Sequence, residues 1–203
     1  MKPLQLSDFT VDPENENIHY ATFSNEGFII EVELVHENWD FNKVFELCTS
    51  VFENFDQLDN KAKSFLTTIQ VKIINEQDEL KKNNLVVIEE DFKKLMTIAK
   101  IEIYDQKIEF DYIVSVENFL IGAAMLAENG LDNPKFTYVL IESEIEDIDE
   151  NGNKTFKIID KKFYRLTEEK SKNSTSSSNN FLQVYNNKNF FEQIVSFFKG
   201  LFK

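Results

Sequence analysis

The chain has 203 residues, 42% of them hydrophobic, with 22 basic and 36 acidic side chains and a formal charge of −14. That length accommodates one domain of ordinary size plus an appendage, and twenty phenylalanines supply the large apolar surfaces of a core. A single cysteine excludes an internal disulfide framework, and a single arginine in so acidic a balance excludes the clustered cations that nucleic-acid binding needs.

The charge is unevenly placed. Residues 1–153 carry 12 Lys and 32 acids, whereas 154–203 carry 9 Lys, Arg165 and 4 acids, so a body near −20 precedes a tail near +6. A macromolecular partner of the body is therefore expected to be basic. The N-terminal residues hold no apolar run of the signal-peptide kind, and no stretch reaches the roughly 20 apolar residues of a membrane span. A cytoplasmic location is expected.

Residues 18–24 and 27–35 read as a hairpin around Asn25-Glu26-Gly27. Its second strand alternates Phe28, Ile30, Val32 and Leu34 with Ile29, Glu31, Glu33 and Val35, the period of a half-buried strand. Asp40 looks like an N-cap, and residues from Phe41 to Asn54 repeat apolar side chains at helical spacing. Cys48 falls within that pattern (Val44, Phe45, Leu47, Val51, Phe52) and reads as a small buried hydrophobe. A second helix is expected from about Asp56 to Leu80, with Leu58, Ala62, Phe65, Leu66, Ile69 and Ile73 on one face. The polar stretch Lys81-Lys82-Asn83-Asn84 should break it, and a short helix over Glu89–Thr97 should follow.

The pattern then changes to period two. Ile101 and Ile103 face one way, and Ile108, Phe110, Tyr112 and Val114 do the same after a turn at Asp105-Gln106. Strands at 118–127 and 135–148 flank the turn-rich Asn129–Pro134. Two strands, then helices, then a run of antiparallel strands predict an α+β domain over 1–166, its helices packed on one face of an antiparallel sheet. Asn151-Gly152 is a favoured two-residue hairpin turn, which would set Glu150 opposite Asn153, Glu146 opposite Lys157 and Glu142 opposite Lys161. An acidic strand would thus pair with a basic one. Residues 167–180, rich in Ser and Asn, read as a flexible linker.

Over 189–203 the apolar residues Phe190, Phe191, Ile194, Val195, Phe197, Phe198, Leu201 and Phe202 fall within an arc of about 160° on a helical wheel. The segment 181–203 is thus expected to form a tethered amphipathic helix that buries its Phe face. Three settings suit it: its own domain or a homodimer, a membrane surface, or a partner's groove.

No constellation carries catalysis. Asp147-x-Asp149-x-Asn151-Gly152 matches the first half of a calcium loop, but the twelfth position is Ile158 rather than Glu and Lys154 occupies an interior slot. His19 and His36 lack a cysteine or further histidine at ligand spacing, and the serines cluster in the linker. The remaining acids read as a solvated face. No catalytic residue, metal ligand or cofactor is assigned. The candidate partner-binding residues are the acidic run Glu142, Glu144, Glu146, Asp147, Asp149 and Glu150, together with Trp39, whose alternative role is to plug the end of the core.

The residues Asp59–Leu66, Ile88–Leu95, Ile101–Tyr104, Phe110-Asp111-Tyr112 and Asn118–Gly122 carry a resemblance. The stretch from Ala21 to Ile141 resembles a group of small bacterial domains of unknown function, several of which look like immunity proteins of polymorphic toxin systems. In that group a histidine often follows the glycine; here Ala123 does, and no role is carried over to it. The resemblance implies an acidic binder that neutralises a basic toxin. The alternative is a membrane-associated accessory or scaffold protein that uses its C-terminal helix.

Overall fold

Eight strands line up in the sheet in the order in which they occur in the chain. They are β1 (Thr10–Val11), β2 (Ile18–Asn25), β3 (Phe28–Val35), β4 (Met96–Ile103), β5 (Lys107–Val114), β6 (Phe119–Leu126), β7 (Phe136–Ile148) and β8 (Lys154–Tyr164). Every neighbouring pair is antiparallel except β3 and β4, which run parallel. A parallel neighbour needs a crossover, and the helices supply it: α1 (Phe41–Glu53), α2 (Phe55–Asn75), α3 (Asp78–Lys82) and α4 (Glu89–Lys94) all lie between β3 and β4. The computed structural model describes residues 4–25, 28–76, 78–82, 86–114, 119–148, 150 and 154–164.

The helices cover one face. Ile30, Val32 and Leu34 of β3, Ile101 and Ile103 of β4, and Ile108, Phe110, Tyr112 and Val114 of β5 are buried there against Val44, Cys48 and Val51 of α1 and Leu58, Ala62, Phe65 and Leu66 of α2. Asp40 caps α1 by accepting from the Asn42 N–H at 2.9 Å. Two tyrosines tie α2 to the sheet. Tyr112 donates to Asp59 Oδ1 at 2.9 Å, and the Tyr138 hydroxyl accepts from Gln70 Nε2. Burial pushes the Cys48 thiol up to about 12, which suits an inert core position.

The α+β class and the period-two assignments from Ile101 to Val114 hold. Other details change. The second helix ends at Asn75, five residues short of Leu80, and a separate turn of helix (α3) follows. The helix expected over Glu89–Thr97 stops at Lys94, because Met96 and Ile98 are needed as buried strand residues opposite Val114 and Tyr112. The short edge strand β1 and the parallel β3–β4 seam carry no clear period of their own in the sequence. The linker 167–180 and the helix expected over 181–203 lie outside the described residues.

The hairpin of β7 and β8 forms, but in a different register. Glu144 pairs with Lys157, Ile141 with Lys161 and Glu142 with Asp160, with irregularities at Glu142/Ser143 and Ile145/Asp147. The expected pairs Glu146–Lys157 and Glu142–Lys161 are absent. A slip of one residue turns every side chain to the other face. Here it turns Lys161 away from the acidic run and onto the sheet face that carries no helix.

Candidate functional site

That second face is where the unusual chemistry lies. Each strand with apolar residues toward the helices presents its alternate residues here, and in β3, β4 and β5 those include Glu31, Glu33, Lys100, Glu102, Glu109 and Asp111. Glu33, Glu102 and Glu109 stand directly side by side across three strands, and Glu31, Lys100 and Asp111 form the next row. Glu102, Glu109 and Asp111 are only 5%, 0% and 1% exposed. Like charges directly opposite one another are destabilising, so the row must be neutralised.

Two lysines do this. Lys161 Nζ, from β8, contacts Glu102, Glu109 Oε1 at 2.9 Å and Asp111 Oδ2 at 3.0 Å. Lys100 Nζ lies 2.5 Å from Glu33, 3.1 Å from Glu102 and 3.3 Å from Glu31. Glu102 thereby bridges the two ammonium groups. In a flat sheet Lys161 and Glu109 would be roughly 20 Å apart, three strand spacings across and four residues along. Their contact shows that β4–β8 curl into a trough whose inner wall these residues line. Gly122 makes room at its floor: a Cβ there would stand 2.7 Å from Asp111 Oδ1 and 3.1 Å from Val139 Cβ. Leu120, Ala124, Val139 and Ile141 complete the lining beside the charges.

Burial opposes the charge on Lys161, but Asp111, Glu109 and Glu102 together outweigh it and hold its pKa above the usual lysine range. Burial likewise opposes the Glu102 carboxylate, and Lys100 and Lys161 overcome it and hold Glu102 below the usual range. Asp111 goes the other way. Burial, then the neighbouring Glu109, raises it well above an ordinary aspartate despite Lys161. Its Oδ1 has no hydrogen-bond partner. The ligand atoms of Glu102, Glu109 and Asp111 lie within 4.8 Å of one another, a spacing that suits a cation. The cation they hold is the Lys161 ammonium, so a metal ion could take these ligands only by displacing it.

At the rim, Lys107 Nζ pairs with Glu109 at 3.1 Å and sits over the rings of Tyr104 and Phe163, 4.2 and 4.5 Å from their centroids. Burial, then Glu102 and Glu109, pushes the Tyr104 hydroxyl pKa upward. Apart from Asp111 Oδ1, the buried charges pair with one another. The arrangement holds the curl of the sheet.

The acidic run lies elsewhere. β6 pairs with β7 only as far as Leu120–Ile141, so Glu142–Ile148 and the facing part of β8 project as a two-stranded ribbon. Glu142, Glu144, Glu146, Asp147 and Glu150 are exposed on it. Among the described residues the only ion pair of these five is Glu144–Lys157, at 4.0 Å. Ile145, Ile148 and Ile159 are 43%, 55% and 55% exposed on the same ribbon. Asp149 and the Asn151-Gly152 turn lie outside the described residues.

Trp39 is not part of this surface. It packs, partly buried, against the main core just after β3. Leu34, Ile103, Ile108, Leu126 and Phe136 all mark that end of the sheet, opposite to the ribbon. Beside it His19 stacks on Phe41 at 4.1 Å and lies 5.1 Å from His36. His19 Nδ1 and His36 Nε2 are buried without partners.

No family model, curated protein or solved structure matches this chain. None of these comparisons bears on the resemblance to immunity-type domains. The interior cluster escapes a reading that treats scattered acids as a solvated face. Its signal was nonetheless present. Lys100-x-Glu102 and Glu109-x-Asp111 sit on strands with an apolar opposite face, and Gly122 interrupts the next strand.

Proposed function

We propose that this chain is a protein-binding module that captures a basic partner, as an immunity protein would capture a basic toxin, and that the acidic ribbon is its docking element. The observation that carries this reading is the ribbon itself: exposed carboxylates, one long ion pair among them, and isoleucines left in water beyond the body of the sheet. Complementary charge would speed encounter, while the exposed isoleucines would slow dissociation. The interior carboxylates support it indirectly, because their charges are consumed in holding the trough.

The test is recovery of a partner from the native host, its identification, and titration of the purified pair. Affinity should fall at least about tenfold as NaCl rises from about 0.05 M to about 0.3 M. Glu142→Lys/Glu144→Lys/Glu146→Lys should abolish binding in a protein that melts normally. Salt-insensitive binding, or turnover of a small substrate that depends on His19 or His36, overturns the reading. The membrane reading would be favoured by flotation of the intact chain with anionic liposomes that is lost on deleting 181–203. Among the described residues no helix is long and apolar enough to cross a membrane.

A further inference from the structure

We infer that the ribbon binds its partner by strand addition: the free edge of β7 at Glu142–Ile145 takes an extended partner segment with lysine or arginine at alternate positions. This inference rests on the protein-binding reading and deepens it.

The open edge follows from strand lengths. β7 runs from Phe136 to Ile148 and is paired with β8 as far as Ile148, but with β6 only as far as Ile141. Phe119, the first described residue of β6, pairs with Val114, the last of β5. Beyond Ile141, one side of β7 therefore has no strand neighbour among the described residues, and its main-chain donors and acceptors on that side are a template for another chain.

The sheet has other edges, and they differ in ways that matter. β1 is two residues long. The outer edge of β8 carries Lys157 and Lys162 and is broken where Ile159 is left out of the pairing. Lysines and irregularities of this kind guard an edge against pairing. β7, in contrast, keeps an unbroken run of paired residues from Tyr138 to Ile145. Its period sets Glu142 and Glu144 on one face and Ser143 and Ile145 on the other, the face of Ile141.

The kind of segment that fits is visible on the opposite side of the same strand. β8, with Lys154, Lys157, Lys161 and Lys162 in eleven residues, is a basic strand already paired to β7, and Lys157 faces Glu144. A second basic strand on the free edge would place cations beside Glu142 and Glu144 and an apolar residue beside Ile145.

The experiment uses the full-length chain and a synthetic peptide of alternating Lys and Val, in two forms: ordinary, and N-methylated at every backbone nitrogen. Both carry the same charge, but only the first can pair as a strand. Titration should show the ordinary peptide binding at least about tenfold more tightly. Amide exchange should slow within 142–145, and Glu142→Lys/Glu144→Lys should remove both effects. Equal affinity of the two peptides overturns strand addition and leaves charge-driven protein binding standing. Absence of peptide binding, or protection confined to another part of the protein, also overturns it. A dimer by sedimentation whose β7 edge is already protected overturns the assignment of that edge to a partner protein, since a second copy would then occupy it.

Discussion

Replacing Lys161 by Met tests the interior cluster most directly. Met keeps most of the side-chain volume and removes the charge that three buried carboxylates share. Removing one partner of a buried ion cluster typically costs about 3–5 kcal/mol, because the remaining charges are left uncompensated. Here the loss is tempered. Glu102 keeps Lys100 at 3.1 Å and Glu109 keeps Lys107 at 3.1 Å, while Asp111, whose protonated form burial already favours in the parent, loses its ammonium partner. The lower end of the range, about 3 kcal/mol, is therefore expected, and for a domain of this size that is a fall of about 6–12 °C in Tm. Urea and thermal unfolding at neutral pH measure it. The deficit should persist in about 1 M NaCl, unlike that of an exposed pair, and should shrink as the pH falls and the carboxylates protonate. A Tm within about 1 °C of the parent, or a deficit independent of pH, refutes this account of Lys161.

Three further outcomes follow from the same face and its neighbours. Gly122→Ala should destabilise by about 1–3 kcal/mol through the contact with Asp111 Oδ1, and calorimetry of Asp111→Ala/Gly122→Ala should show less than the sum of the two single losses. Asp111 has a raised folded pKa, so as pH climbs above about 4 the unfolded chain releases a proton that the folded protein keeps. Stability is lost as pH rises through that window, and Asp111→Asn should gain on the parent over the same range in denaturant titrations. His19 has the opposite sign. Burial, then His36, lowers its pKa, so the unfolded chain binds the proton first as pH drops below about 6.5, stability falls there, and His19→Gln should flatten that limb of a pH–Tm profile.

The parts of the fold legible in the sequence are those set by one face of one element. Asp40 caps α1 as its side chain requires, and Ile108, Phe110, Tyr112 and Val114 line up because period two permits nothing else once the helices cover that side. Register is a different kind of quantity. The Asn151-Gly152 pair argued for a local turn, but the pairing that wins sets Val139 opposite Phe163 and Ile141 opposite Lys161, which sends Lys161 to the acids of β4 and β5. Residues distant in the chain decide that, and the irregularities at Ile159 and Glu146 absorb the mismatch. The trough was hidden for the same reason: Glu102 and Glu109 look like surface residues until the curl that closes over them is known.

The parallel seam between β3 and β4 also bears on how the molecule assembles. Only four register pairs join these strands, Glu31–Leu34 with Lys100–Ile103, against seven between β4 and β5. Strands β4 to β8 follow one another with at most nine residues between them and can zip in sequence, whereas β3 must await a crossover through residues 36–95. The hairpin of β2 and β3 is thus expected to dock last and open first, with Lys100 as the staple across its seam through Glu31 and Glu33. Two foldons of unequal size are therefore expected, and amide exchange measures them: 18–35 should exchange early, the paired centre of β4–β6 only with global unfolding.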